Sequence, residues 1–468
     1  MDNIPKELID AIDKPYGYSI LVKGLAGTGK STLVLELLSR SENPLYFSTR
    51  VSPLSLEHQF PWIKETIKAE NMLDVTQLAF IAKDTEHYFE SVIKFKDLPE
   101  FLQVIYHKTK DRPNSFVVID AWSTLLKYSQ ASSMIEGKIE SFLSEMVRQK
   151  KIKLFLVTET ESETYLDYIV DGILTLKRVG FGKRFAKKRI REIHIEKLRG
   201  VEVAQHEYIF TLNNGRFRHF EPQYPNIKEG TFQKIEEIGD CFSTGNHQLD
   251  TILNGGYRKG SFIVFEIEDG ISDIFPKTIV YQTILNFLKH GRTCSIAPAG
   301  EESPLIYFQD LAPIIKEEEF NEKILILKEK NISFNLDKPF IKYILGNDLK
   351  KDFGIFNETL TYLKNKSSDG HIMQLFPSLG SMEIRYPLEI YVPIQEKNIE
   401  RARFGEDLNF LFIKKGSRAL QVSLNQCDYH FNLESINGCV ILEILKPYFK
   451  YPLAVEIDYP NINLIPIV

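Results

Sequence analysis

Cysteine is scarce in this chain: four residues among 468, at positions 241, 294, 427 and 439, with no C-x-x-C pair. That spacing excludes a disulfide framework and a cysteine-based zinc site. The ten histidines never fall at H-x-x-x-H or H-E-x-x-H spacing, so no histidine metal centre is expected either. No G-x-S-x-G and no catalytic-cysteine context is present. Apolar runs stay well short of the ~20 residues a membrane-spanning helix needs. The opening MDNIPKELIDAIDKPYG lacks the basic-then-apolar order of a secretion signal. These absences together read as a cytoplasmic protein with no membrane partner. Positive charge is not in excess: the net charge of -5 argues against wholesale coating of nucleic acid.

The remaining composition, 43% hydrophobic and 26% charged, is that of a folded chain, and 468 residues exceed what one core usually organises. The first half alternates apolar runs with amphipathic ones. YSILVKG (18–24), LYFST (45–49), SFVVIDA (115–121) and KLFLVTE (153–159) read as buried strands. KSTLVLELLSR, LPEFLQVIYHKTK and KIESFLSEMVRQKK between them carry apolar residues at helical spacing. That alternation predicts an α/β fold with a mostly parallel sheet flanked by helices. YIFTLNNGRFRHFEP reads as a hairpin turning at Asn213-Asn214-Gly215, and EPQYPNIKEG (221–230) as a linker. The second half repeats the outline, with strands at GSFIVFE, RTCSIAP and DLNFLFIKK and a helix at FPKTIVYQTILNFLKHG. Near its end LESINGCVILEI (433–444) echoes LDYIVDGILTLK (166–177). The expectation is two related domains in tandem, 1–222 and 230–468.

GLAGTGKST, from Gly24 to Thr32, fits G-x-x-x-x-G-K-[ST] directly between a strand and a helix. Its glycines let the backbone of Gly24, Leu25, Ala26, Gly27, Thr28 and Gly29 curl so that successive N–H groups surround phosphates. The helix N-terminus adds partial positive charge behind Lys30, Ser31 and Thr32. Lys30 is placed to reach the β- and γ-phosphates and Ser31 to ligate Mg²⁺. Asp120, closing the strand SFVVIDA, is the candidate second magnesium partner, although an Asp ending a strand is also a common helix cap. ATP with Mg²⁺ is therefore the expected ligand.

These residues together resemble the KaiC-type ATPases of the RecA superfamily. The likeness extends to REIHIEKLRG (191–200), where that family has a K-x-R-G strand, and to STGNHQLDTILNGGYRKGS (243–261), which matches its domain opening S-T-G-x-x-x-L-D-x-x-L-x-G-G. YFSTRVSP, YIVDGILTL, EKLRG and FTLNNGRFRHFEP further resemble the GvpD family of archaeal gas-vesicle regulatory proteins, well over 15–222 and loosely beyond. The resemblance implies tandem RecA/KaiC-like domains, and the chain departs from its pattern twice. Where the family carries a Glu-Glu pair after the second strand, this chain has Arg50-Val51, and an arginine cannot accept a proton at neutral pH. Hydrolysis is then expected to be slow or absent unless Glu159 substitutes as base. In the second domain EIEDGISDI aligns on E-G-x-x-G-S-G-K-T with Ile267 for the first glycine, Asp273 for the lysine and Ile274 for the hydroxyl. Pro377 and Ser378 stand near the place of the magnesium acid. The second domain is expected to be degenerate.

From Lys177 to Arg199 ten Lys or Arg face two Glu. Such a run is commonly a solvated hairpin. By the family resemblance, Lys197 and Arg199 would reach the γ-phosphate on a neighbouring subunit, which requires a homo-oligomer. The tip residues Lys183, Arg184, Lys187, Lys188 and Arg189 offer a docking surface for an acidic protein, with nucleic acid the less favoured target. Trp62 and Trp122 sit in apolar company and read as core. The functional expectation is a regulatory protein in which Mg-ATP on the first domain gates a protein partner, a transcriptional regulator being the kind the GvpD resemblance implies. A KaiC-like oligomeric ATPase or autokinase is the alternative; a DNA-handling recombinase is disfavoured by the acidic balance.

Overall fold

The computed structural model describes residues 3–75, 98–112, 114–129, 143–181, 188–225, 227–298, 302–330, 336–378, 383 and 386–468. Two compact units emerge: Met1–Glu221 together with Ile467–Val468, and Pro222–Pro466. No helix or strand falls between Phe220 and Cys241 among the described residues, a stretch that includes the segment 221–230 read as a linker.

The first unit is built on nine strands: β1 Tyr18–Lys23, β2 Pro44–Ser48, β3 Met72–Asp74, β4 Phe116–Asp120, β5 Lys153–Val157, β6 Gly172–Phe181, β7 Lys188–Leu198, β8 Glu207–Thr211 and β9 Arg218–Phe220. Their order is β3-β2-β4-β5-β1-β6-β7-β8-β9. Pairing is parallel from β3 to β6 and antiparallel from β6 to β9. Every residue of β1 is buried, as expected of a parallel strand covered on both faces. Ile20 and Val22 join Leu33 and Leu37 of the helix Lys30–Leu38 in one core. Leu21 faces the other way, in a cluster with Phe101 and Trp122. Each such fully buried aliphatic contributes roughly 1.5–3 kcal/mol. Asn214 (φ 56) and Gly215 (φ 68) make the left-handed turn between β8 and β9 at the place the sequence marks.

The second unit has a two-stranded ribbon, β10 Cys241–Phe242 with β11 Tyr257–Arg258, and a ten-stranded sheet. The sheet comprises β12 Phe262–Ile267, β13 Thr293–Ile296, β14 Ile324–Glu329, β15 Ile341–Ile344, β16 Ile372–Phe376, β17 Leu408–Lys414, β18 Tyr429–Ile436, β19 Cys439–Lys446, β20 Leu453–Asp458 and β21 Asn461–Pro466. Its order, β15-β14-β13-β16-β17-β12-β18-β19-β20-β21, is that of the first unit with one edge strand added. The tandem α/β reading therefore holds at the level of topology.

A shared clamp fixes which residues correspond. Ser19 N–H donates to Asp171 Oδ2 at 3.0 Å while Asp171 N–H donates to Ser19 O at 2.9 Å. In the second unit Phe262 N–H donates to Asp428 Oδ2 at 2.9 Å and Asp428 N–H to Phe262 O at 2.8 Å. Residue 19 thus matches 262, and counting forward Gly24 matches Ile267, Lys30 matches Asp273 and Ser31 matches Ile274. The same clamp corrects one expectation. Leu433–Ile444 is not the counterpart of Leu166–Lys177: it spans β18, a left-handed turn at Asn437 and Gly438, and β19. Leu166–Lys177 is instead a short helix, Leu166–Ile169, followed by the first part of β6. The shared alternation of apolar residues is common to many strands and carried no positional information.

Candidate nucleotide site

β1 ends at Lys23 and the helix Lys30–Leu38 begins after six intervening residues, so Gly24–Gly29 forms a tight turn at the carboxyl end of the parallel strands. Gly24 holds φ 143°, and a Cβ there would lie 2.4 Å from the carbonyl oxygen of Leu176. Only glycine fits so close to β6. Lys30 is buried, and its Nζ donates to the carbonyls of Gly24 (2.7 Å) and Leu25 (2.8 Å). Burial, and then the charge of Arg50, hold its ammonium below the ordinary lysine value, against the opposing pull of Asp120.

β4 carries Asp120 to the same end of the sheet, with β5 inserted between it and β1. The candidate magnesium acid is therefore not on the strand next to β1 but one strand beyond it. Ser31 bridges the gap: its Oγ donates to Asp120 Oδ2 at 2.6 Å. The Tyr46 hydroxyl donates to the same oxygen at 2.7 Å, and burial together with Asp120 pushes that phenol well above its usual range. Nothing in the sequence pointed to Tyr46, since an aromatic inside a strand reads as core.

Arg50, just past β2, forms an ion pair with Glu159, just past β5. Both line a cleft of about 410 Å³ with Gly27, Lys30, Ser31 and Asp120, within the ~300–1,000 Å³ usual for ligand pockets. The candidate base is thus engaged by the residue that replaces the family's acids. On the other side of the loop Arg178 and Arg191 stand directly opposite each other on β6 and β7. Like charges so placed repel unless an acceptor lies between them. Arg178 donates to Gly27 O, and Arg191 to Gly27 O (2.9 Å) and Thr28 O (3.1 Å). Burial, then Arg178, pushes the Arg191 guanidinium down to about 10. These two loop-bracing arginines were hidden inside the basic run, because only the hairpin register shows which of its charges meet the turn.

Lys197, near the end of β7, and Arg199, just past it, lie away from the phosphate turn: Lys197 pairs with Ile173, which is level with Leu21. Lys197 Nζ donates to Asp167 O at 2.9 Å, beside the Lys23–Asp167 ion pair at 2.6 Å. Arg199 meets Asp171 at 3.5 Å and donates to Tyr168 O at 3.2 Å. Of the basic tip, Lys183, Arg184 and Lys187 lie outside the described residues; Lys188 is buried at the start of β7 and Arg189 is exposed. Trp122 is buried in the core, and Trp62 is capped by the Arg216 guanidinium 4.2 Å from its ring. No group of three or more potential metal ligands occurs among the described residues, and none of their helices is long and apolar enough to cross a membrane.

At the matching place in the second unit the polar groups close on one another. Asp273 approaches Lys414 at 3.7 Å, and Lys277 of the helix Ile274–Lys289 pairs with Glu302, which also accepts from Tyr307 Oη at 2.7 Å. Register puts Pro377, directly after β16, where β4 has Asp120: Asp120 pairs with Val157 and Val157 with Val22, while Phe376 pairs with Leu411, one short of the Phe412 that faces Phe265.

A mostly parallel sheet with a strand inserted between phosphate loop and candidate acid, its strand order repeated in the second unit, is the arrangement expected of a KaiC-like P-loop protein, a class that implies nucleotide binding. Residues 10–196 match the family model described as GvpD gas vesicle protein, P-loop domain. Protein GvpD1 of Halobacterium salinarum is 28% identical over 329 residues, covering 68% of this chain and 60% of its own. Protein GvpD2 of the same organism is 28% identical over 331 residues, covering 68% and 66%. Circadian clock oscillator protein KaiC 1 of Synechocystis is 23% identical over 308 residues, covering 62% and 55%. The chain thus spans just under two thirds of the gas-vesicle relatives it matches. These likenesses support a KaiC-like P-loop protein similar to GvpD.

Proposed function

We propose that the first unit binds ATP with Mg²⁺ through Gly24–Thr32, hydrolyses it slowly or not at all, and uses the bound state to gate an acidic protein partner. The observation that carries this reading is a contrast within one cleft. The phosphate turn, Lys30 and the Ser31–Asp120 pair at 2.6 Å are in place, while the candidate base, Glu159, is paired with Arg50. Lys30, satisfied by loop carbonyls alone, would exchange them for phosphate oxygens. Ser31 and Asp120 would hold the magnesium ion, which supplies charge neutralisation on the phosphates. Glu159 would serve as a base only after release from Arg50.

The second unit, with Asp273, Ile274 and Pro377 at the three chemical positions, is read as a retained scaffold without a working phosphate site. The hairpin carrying Arg189 is the docking surface for the partner, and by likeness to GvpD that partner is a regulator of gene expression. Gating is tested by partner capture with ATP, with ADP and without nucleotide, in the wild type and in Lys30→Ala. Capture that depends on ATP and is lost in the variant supports the reading. Equal capture in all arms removes the gate.

A further inference from the structure

The second unit contains a cavity of about 120 Å³ on the sheet face that carries Phe262, Asn409 and Leu411, under the helices Leu349–Lys366 and Leu388–Phe404. Phe356, Tyr391 and Ile394 are among the apolar residues that line it. Three amides stand in its wall, and Asn398 already accepts from Arg401 through its Oδ1. Gln395 is 8% exposed; its Nε2 donates to Ser423 Oγ at 3.1 Å, but its Oε1 has no partner. Asn409 is 2% exposed and its Oδ1 has no partner. Buried amide oxygens are ordinarily bonded, and each one left open disfavours the fold.

The first unit shows that the fold does not require this polarity. Phe262 pairs with Asn409 as Ser19 pairs with Leu154, so the twin of Asn409 is a leucine, fully buried in the opposite-face core. An asparagine here serves something other than packing. Charge is not offered: Asp352 on the wall already accepts from the N–H groups of Leu345 (2.6 Å) and Gly346 (2.8 Å), and Glu329 has partners of its own. A cavity of similar size lined by Leu, Ile and Phe, ~150 Å³, accommodates benzene. Water is a poor tenant of a largely apolar cavity, since each molecule needs two to four polar partners.

We propose that this cavity is a binding site for a small neutral molecule with one ring-sized apolar body and a hydrogen-bond donor, held by the amides of Asn409 and Gln395. The site would make the second unit a sensor rather than only a scaffold, and it does not depend on nucleotide binding by the first. The probe is phenol, with benzene and benzoate for comparison, titrated into the full chain and followed by ligand-observed NMR and calorimetry. Phenol should bind at one site per chain and benzoate should not. Asn409→Leu, which restores the residue used by the twin, should weaken phenol by about tenfold or more while leaving benzene bound. Ile394→Trp should fill the cavity and abolish both. Circular dichroism establishes that each variant is folded; should Asn409→Leu fail to fold, Gln395→Met replaces it with the same expectation. Absence of phenol binding to the wild type overturns the proposal, as does phenol binding that folded amide and cavity-filling variants leave unchanged.

Discussion

The two units turn from strand to helix through six residues each, Gly24–Gly29 and Glu268–Asp273, yet treat charge in opposite ways. In the first, Lys30, Ser31 and Asp120 face a cleft and are bonded to groups that a ligand can displace. In the second, Lys277 is buried against Glu302, and Asp273 turns to Lys414. Breaking a buried pair of that kind leaves an uncompensated charge, so nothing invites a phosphate there. What both keep is scaffold. The S-T-G-x-x-x-L-D opening survives because Asp250 accepts from Ser243 Oγ (2.6 Å) and from Thr244 N–H and Oγ1 (2.7 Å each), not because it touches a ligand. Gly245 is needed there, since a Cβ would lie 2.1 Å from Gln282 O. The lesson is that fold and ligand chemistry reside in different residues and can be lost separately.

The largest expected effect breaks the first unit. ATP with Mg²⁺ at about 100 times Kd should add roughly 2.7 kcal/mol to it and raise its melting transition by about 5 to 10 °C. Lys30→Ala should erase that shift. Calorimetry of the full chain should show the second unit's transition unmoved; a shift there in the variant would show that its site is alive. Next, Asp120→Asn keeps an acceptor for Ser31 and Tyr46 but removes the charge. Because hydrogen bonds to charged groups are worth ~1.5–3 kcal/mol, ATP affinity in Mg²⁺ should fall by about ten- to a hundredfold and become insensitive to EDTA. Undiminished magnesium dependence would place the metal elsewhere. Third, Arg50→Glu puts an acid where Arg50 now holds Glu159, and ATP turnover should rise by about tenfold or more. If instead wild-type turnover is brisk and vanishes in Glu159→Gln, Glu159 is the base despite its pairing.

The smallest effect lies in the β8–β9 hairpin. Burial, against the pull of the Asn3 carbonyl and Glu221, lowers the His219 imidazole below its ordinary value of 6.5. Below that value the unfolded chain takes up a proton that the folded unit refuses. Stability is then complete above about 6.5 and declines as acid is added. Urea titrations at pH 7 and pH 5.5 should show a smaller loss for His219→Gln than for the wild type.

Much of this was legible in the sequence, and the reason differs by element. Parallel strands such as β1 and β12 announce themselves because burial on both faces demands continuous apolar runs. The phosphate turn was legible because glycine, lysine and hydroxyl must fall at fixed spacing. Short edge strands such as β3, with three residues, carry too little pattern to stand out. Tyr46, Arg178 and Arg191 escaped because their roles depend on strand register, which brings residues more than seventy positions apart onto one oxygen or one loop. The Arg50–Glu159 pair was half visible: both residues drew attention, but only the sheet order, which leaves just β4 between the ends of β2 and β5, shows that they meet.

Occupancy and turnover of ATP, measured side by side on the purified full chain, test the central claim most directly. Equilibrium binding should be saturable, magnesium-dependent and absent in Lys30→Ala. Turnover at saturation should fall far below the ~1 s⁻¹ that marks the lower end of typical enzymes, and should increase in Arg50→Glu. Saturable binding accompanied by wild-type turnover at or above that rate would contradict the account, and so would a chain that does not bind ATP at all.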